Sequence, residues 1–349
     1  MLGFYPGTKW HAYQHAMAGA LSKHGYEVVK GDDFTDQSLI KTSQNILHFH
    51  WIERLWDAPT WFGKLKCLLG CIFYLRKAKE LNKTIVWTVH NHLPHQDSNI
   101  FDWFGILVFT SYADVIACHS KWSKAWLQKF SIKKISPIVV SHGNFSSIYQ
   151  SVIDNTSLKE QYNFKQDSLL LGMVGEIRPN RGHEEAILAA QQLGSKVQLL
   201  IAGRSKDQEY LTELKHIALS SDNITFIAEN LSDQKYNDLI ALADITLLPY
   251  KSITTSGALL SSWSIGVPTI TSDLPYFEEL KPKNWLAGST YERGNVDSLV
   301  SVIAKYLGVY STRFREAAWE ESKNYSWDKV IIPLVESLED RTAAVKHRD

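Results

Sequence analysis

The chain predicts an α/β protein of two doubly wound parallel sheets in tandem. Three observations predict it. Strand-like apolar runs alternate with helical stretches from end to end, the pattern of crossover-connected parallel strands. The alternation breaks at a polar link over 146–166 and then restarts. The length, 349 residues, exceeds what one ordinary core organises and suits two domains.

The elements follow in order. Met1-Leu2-Gly3-Phe4-Tyr5 goes almost directly into structure as the first strand, the Pro6-Gly7-Thr8 loop follows, and a helix covers 12–24. Strand signals come at Glu27-Val28-Val29, at 45–50, at 84–89, at Val115-Ile116-Ala117-Cys118 and at Ile138-Val139-Val140. After the link they recur at 169–174, 197–202, 224–227, Ile245-Thr246-Leu247-Leu248 and Thr269-Ile270-Thr271. The segment 314–340 reads as two helices split near Asn324-Tyr325-Ser326-Trp327, with Ser326 as N-cap. The expected domains are 1–150, 151–325 and a closing helix, 326–349, that packs back on the first. In such sheets ligands bind outside the carboxyl ends of the strands, so two facing sheets would make a cleft with one ligand on each wall.

Net charge is zero but unevenly spread. Residues 1–150 hold 16 basic and 10 acidic residues, and 151–349 hold 21 and 27. Ten of the 13 His also fall in the first part, so the two halves are expected to meet different partners. The modest basic excess lies near an apolar helix, which argues against nucleic acid. Cys67, Cys71 and Cys118 are too few for a disulfide framework, lack the paired spacing of a zinc site, and fit a cytosolic protein. The start leaves no room for a signal peptide, and no run reaches the ~18 apolar residues of a membrane span.

Two loops invite a phosphate. Lys251 to Leu259 runs from a strand end through Ser256-Gly257 into a small-residue helix. Gly175-Glu176-Ile177-Arg178-Pro179-Asn180-Arg181-Gly182 also follows an apolar strand and opens a helix. A helix start offers unpaired N–H groups and a positive dipole end, and Gly lets an anion approach the backbone.

With these residues in view, the chain resembles the GT-B fold glycosyltransferases, and among them family 4. The 175–182 segment is similar to that family's Gly-x-Ile-Arg-Pro-x-Lys-Gly. Leu200-Ile201-Ala202-Gly203 resembles its Leu-x-Ile-Ala-Gly strand. Ala243-Asp244-Ile245 through Tyr250, Ser256-Gly257 and Gly266-Val267-Pro268 resemble its Ala-Asp-x-x-x-Leu-Pro-Tyr, Ser-Gly and Gly-x-Pro run. Thr88 to His95 and Ser141-His142-Gly143-Asn144 resemble strand-end motifs of bacterial members that build surface polysaccharides. One departure stands out. The two Glu of the family's Glu-x7-Glu align with Ile253 and Ser261, neither of which does a carboxylate's work; this chain resembles a Ser-Gly-x-Leu subset, with Leu259 as the Leu.

The resemblance implies a GT-B architecture of two Rossmann-like domains. It also implies a sugar transfer from a UDP- or GDP-sugar to a glycan, carried on polyprenyl diphosphate, in surface polysaccharide synthesis. Without an Asp-x-Asp, no metal is expected; Asp32-Asp33 has no phosphate loop nearby. The donor cradle would comprise Gly175, Arg178, Arg181, Gly182, Gly203, Ser256, Gly257 and Leu259, with the two Arg as cations. Arg181, His90, Glu278 and His95 are the catalytic candidates. His90 follows a strand, where an imidazole can bond a sugar hydroxyl or take a proton. Glu278 belongs to the loop that the resemblance places at the donor sugar, although acidic residues at helix starts are common for dipole reasons. Gly7, Thr8, Tyr13, Asn91, His142 and Asn144 are the acceptor-side candidates. Each also has a plain reading as a turn, loop or packing residue.

Retention of anomeric configuration is expected, with the leaving phosphate as base. The alternatives are inversion with His90 or His95 as base, a nucleotide-sugar epimerase, or a non-catalytic scaffold. Finally, Trp51 to Lys83 mixes Trp51, Trp56, Trp61 and Phe62 with apolar and basic residues. That composition suits a bilayer interface, and equally a buried crossover helix with a basic outer face. The expected location is cytoplasmic, peripheral on the inner face of the membrane.

Overall fold

The computed structural model describes residues 1–5, 12–31, 43–92 and 99–346. The chain divides into two compact units: Met1–Gly143 with Trp327–Asp349, and Asn144–Ser326. Each is built on a six-stranded sheet in which every strand pairing is parallel.

Unit 1 begins β1 (Leu2–Tyr5), α1 (Ala12–Lys23), β2 (Val28–Lys30), β3 (Ile46–Phe49), α2 (Trp61–Glu80) and β4 (Thr84–Val89). It continues α3 (Ile100–Tyr112), β5 (Val115–Cys118), α4 (Lys121–Phe130) and β6 (Ile138–Val139). The strand order is β2-β1-β3-β4-β5-β6. Tyr5, Phe49, Trp87 and Phe109 fill the core between sheet and helices. The helices start where polar side chains satisfy open backbone donors. Thr60 Oγ1 accepts from Gly63 N for α2, and Ser120 Oγ from Ser123 N for α4. Asn99 and Asp102 form a capping box at α3. Asp102 also accepts from Trp56 Nε1 at 2.8 Å.

The stretch 51–83 is therefore not one outward surface. Trp56 is buried because its indole N–H needs that carboxylate, and Trp51 stacks on His90 at 4.2 Å. Lys83 is buried as well and donates to the Gln44 carbonyl. Trp61, Phe62, Leu69, Phe73 and Leu81 are the large apolar side chains of the stretch that face solvent.

Unit 2 runs α5 (Thr156–Gln161), β7 (Leu169–Val174), α6 (His183–Leu193), β8 (Val197–Ala202), α7 (Gln208–Ile217), β9 (Ile224–Ile227) and α8 (Asp233–Leu242). Then come β10 (Ile245–Leu248), α9 (Gly257–Ile265), β11 (Thr269–Ser272), α10 (Pro275–Glu279), β12 (Gly288–Tyr291), α11 (Val296–Ala304) and α12 (Thr312–Ser322). The order β12-β11-β10-β7-β8-β9 puts β7 and β10 side by side at the centre. The strand order reverses there, which opens a crevice at their carboxyl ends. A buried ion pair, Lys159 to Asp244 at 2.7 Å, anchors α5 beneath β10, and Asp244 also accepts from Leu170 N. Arg315 of α12 is buried and donates to three backbone carbonyls, of Val152, Ala243 and Ala241.

α13 (Trp327–Val330) and α14 (Ile332–Lys346) return to unit 1, where α14 lies against β5 and β6. Two elements have no counterpart in the sequence reading. α5 lies inside the polar link, and β12 is a short edge strand, Gly-Ser-Thr-Tyr, without an apolar run.

Candidate active site

In unit 2 the site grows from the ends of β7 and β10. After Val174 the chain turns through Gly175, Arg178, Asn180 and Arg181 and reaches Gly182 at φ +70°. A Cβ at Gly182 would stand 1.9 Å from the Pro249 carbonyl oxygen, so only glycine lets the two strand-end loops meet. Lys251 N donates to Asn180 O at 2.9 Å and ties the loops together. The Arg181 guanidinium lies 4.1 Å above the Tyr250 ring. Gly203, at φ +141°, packs on Gly175, whose carbonyl oxygen a Cβ there would meet at 1.7 Å.

The electrostatics of these loops are unbalanced. Arg178 is partly buried, and its pKa is lowered first by desolvation and then by neighbouring Arg181. Glu176 is the carboxylate nearest Arg178, 3.5 Å from Nη1, and it is shared with Lys206. Among the described residues, Arg178 Nε, Arg181 Nε and Asn180 Nδ2 are buried donors with no partner. His183, at the start of α6, is pushed down to about 3 by burial and then by Arg181, so it stays neutral. Beside this cluster α9 opens with Ser256 as N-cap, its hydroxyl accepting from Leu259 N at 3.2 Å. The Leu259 amide is thereby taken. The amides of Gly257 and Ala258 remain at a positive helix end. Converging donors with too few acceptors suit a multivalent anion.

Ile253 and Ser261 are both buried, and Ser261 bonds Tyr236 of α8. Glu278 sits on α10 and pairs with Lys281 at 3.5 Å.

In unit 1 the carboxyl ends of β3, β4, β5 and β6 bring together His48, His50, His90, His119 and His142, all buried. Tyr13 of α1 packs against four of them, with centroids 4.8 Å from His90 and from His142. His50 Nδ1 and His90 Nε2 share a hydrogen bond of 3.0 Å. His48 bonds the Thr88 hydroxyl at 2.7 Å, and His119 bonds the Val140 carbonyl at 2.8 Å. Burial holds His48 at about 3 and His119 at about 4, so both are neutral. Burial likewise raises the Cys71 and Cys118 thiols to about 12, leaving them inert packing groups.

The structure thus gathers Gly175, Arg178, Arg181, Gly182 and Gly203 at one set of strand ends, and Tyr13, His90 and His142 at the other. Asn91 donates to Glu53 at 3.0 Å, and His92 bonds Ser123 and stacks on Trp126. Asn144 belongs to unit 2, where its amide donates to the Ser322 carbonyl at 2.8 Å. Gly7, Thr8, His95 and the Asp32-Asp33 pair lie outside the described residues. Sequence reading missed His48, His50, His119 and Tyr250. The signal for the first two was present: in His48-Phe49-His50 the imidazoles share a strand face. Among the described residues, no group of three His, Cys, Asp or Glu is arranged to hold a metal ion.

Comparisons with known proteins bear on the fold and on the second half of the sequence. Residues 154–320 match the family model described as Glycosyl transferases group 1. A GDP-mannose:glycolipid 4-beta-D-mannosyltransferase of Xanthomonas campestris is 20% identical over 246 residues, 68% of this chain and 64% of that protein. The O-antigen biosynthesis glycosyltransferase WclY of Escherichia coli is 25% identical over 163 residues, covering 45% of this chain and 44% of its own. Among solved structures, Anabaena Alr3699/HepE in complex with UDP and glucose superposes with a TM-score of 0.74 at 14% identity, covering 97% of this chain and 99% of that one. Sucrose-phosphate synthase from Thermosynechococcus elongatus gives 0.71 at 13% identity, covering 95% and 79%. The fold is GT-B, two Rossmann-like domains, and residues 154–320 are similar to the glycosyl transferases of group 1.

Proposed function

We propose that this protein transfers a sugar from a UDP- or GDP-sugar to a glycan carried on a polyprenyl diphosphate lipid, in assembly of a surface polysaccharide. The observation that carries the reading is the pair Arg178 and Arg181, whose buried Nε donors lack partners beside the open end of α9. Relatives support the substrate classes. Alr3699/HepE is solved with UDP-glucose, the Xanthomonas protein is named for GDP-mannose and a glycolipid, and WclY for O antigen.

In this reading unit 2 binds the donor. Arg181, Arg178 and the Gly257 and Ala258 amides hold the diphosphate, while Gly175, Gly182 and Gly203 let it approach the backbone. The bond between the sugar's anomeric carbon and the diphosphate oxygen breaks, and the acceptor hydroxyl oxygen bonds that carbon. The acceptor's proton passes to the departing phosphate, which gives retention without a metal. Glu278 reaches a donor-sugar hydroxyl once it leaves Lys281. Unit 1 binds the acceptor through Tyr13, His142 and Asn91, together with Gly7 and Thr8, and 51–83 meets the cytoplasmic membrane face.

One observation favours inversion instead: the His50–His90 hydrogen bond is the kind that sets an imidazole's tautomer, and His90 would then accept the acceptor's proton. His95 is the other candidate base.

Calorimetry of the purified protein against UDP, GDP, ADP, TDP and CMP in metal-free buffer tests the donor site. Specific binding of one diphosphate is expected; binding of none overturns it. Incubation with the matching sugar nucleotide and a lipid-linked acceptor, read by NMR at the new anomeric carbon, then separates retention from inversion.

A further inference from the structure

We infer that helices α2, α3 and α4 of unit 1 form one surface that docks on a bilayer with anionic headgroups. α3 is apolar on both sides. Phe101, Ile106 and Phe109 enter the core, while Ile100, Trp103 and Phe104 are exposed at helical spacing. Its one charged residue, Asp102, is buried against Trp56. Among the described residues no helix is long and apolar enough to cross a membrane, and a helix with no charge on its solvent face needs a partner.

The face is continuous with its neighbours. Trp61 of α2 meets Phe101 at 5.5 Å, and Trp103 meets Phe130 of α4 at 5.3 Å. Phe62 is 78% exposed, and Ile132, just past α4, is 87% exposed.

Charge selects the occupant. Lys64 and Lys66 flank the patch on α2, Lys129 flanks it in the last turn of α4, and Lys133 and Lys134 follow just past that helix. None of the five has an ion-pair partner among the described residues. α4 carries no acidic residue, and the Glu80 of α2 is held by Arg76 and Lys77. A second copy of the chain would oppose lysine to lysine. Anionic lipid complements the lysines while Trp and Phe enter the headgroup boundary. The inference extends the lipid-acceptor reading from part of 51–83 to α3 and α4, which sequence reading left out.

The test uses full-length protein and vesicles that contain no glycolipid and no nucleotide, so that its outcome is independent of sugar transfer. Sedimentation is compared with phosphatidylcholine vesicles alone and with roughly a third phosphatidylglycerol. Strong binding is expected only to the anionic vesicles, and release in high salt. K133Q with K134Q should weaken it about 30-fold, from roughly a five-fold effect per lysine neutralised. F104S with I132S removes two exposed side chains that the core does not use, and should weaken it without lowering the melting temperature. Equal binding to neutral vesicles, unchanged binding by both variants, or a dimer in light scattering that F104S with I132S dissolves would each overturn the proposal.

Discussion

Replacing Arg181 by Ala should separate ligand binding from stability. Without ligand two effects oppose each other. The stack on Tyr250 at 4.1 Å stabilises the fold by about 0.5–2 kcal/mol. Against it stand the repulsion from Arg178 and the desolvation of an unpartnered Nε, which destabilise it. The terms are of similar size, so the unfolding free energy should change by about 1 kcal/mol or less, a few degrees in Tm. Ligand binding has no such compensation. Loss of charge-assisted bonds to a diphosphate costs about 1.5–3 kcal/mol, roughly 10–150-fold in Kd. R181K, which keeps the charge but not the planar fork, should lie between. Calorimetry with the diphosphate and ligand-observed NMR with the bare nucleoside provide the comparison. The diphosphate should weaken and the nucleoside should not. A parallel loss of both, or a Tm collapse of tens of degrees, would refute the cradle and make Arg181 a structural residue.

Other perturbations probe the frame. His48, His119 and His183 are held at about 3, 4 and 3 in the fold but titrate near 6.5 when unfolded. Below that value the unfolded chain therefore binds protons that the fold refuses. Stability should fall as pH drops from 7 towards 4, by up to about 4 kcal/mol per pH unit for three groups. Urea midpoints at pH 7.5 and 5.5 would reveal it, and equal midpoints would contradict the burial assigned to these rings. G203A drives a Cβ to within 1.7 Å of the Gly175 oxygen at φ +141°, and should cost about 3 kcal/mol or more, read as a fall in Tm. K159M leaves Asp244 charged and buried without its ammonium, a loss of about 3–5 kcal/mol; D244N in the same background should restore part of it.

Much of the architecture was legible because central parallel strands are buried on both faces and so appear as near-continuous apolar runs. The 84–89, 169–174 and 197–202 runs are strands with those bounds. β12 escaped because an edge strand needs no such run. The candidate cradle was legible in part because Gly175, Arg178, Arg181 and Gly182 lie within eight residues of one loop. Its support was not, since Tyr250 comes from a different strand end. His90 was found by its place after an apolar strand, and the same rule applied to Ala117-Cys118-His119 would have found His119. The His50–His90 bond could not be read, because 40 residues separate the partners. Trp51 and Trp56 were misjudged for a similar reason. Composition counts an indole as apolar surface, whereas here one stacks on an imidazole and the other needs a carboxylate.

The two sheets follow the same crossover logic, but their orders reverse at different places. In unit 1 β1 lies between β2 and β3, and in unit 2 β7 lies between β8 and β10. Each crevice then collects side chains of a different kind. The β7–β10 end holds two guanidinium groups against one carboxylate, Glu176, which Lys206 shares, and a phosphate matches that excess because burial strengthens every charge-assisted bond. The β3–β6 ends hold imidazoles, two of them kept neutral by burial, together with the faces of Tyr13 and Trp51. Those groups donate and accept hydrogen bonds and offer flat apolar surface, yet bring little charge. A neutral, hydroxyl-rich ring matches them, because its hydroxyls both donate and accept and its C–H faces pack on aromatics. In the proposed function, an anionic donor and a sugar acceptor are thereby sorted by charge before shape is considered.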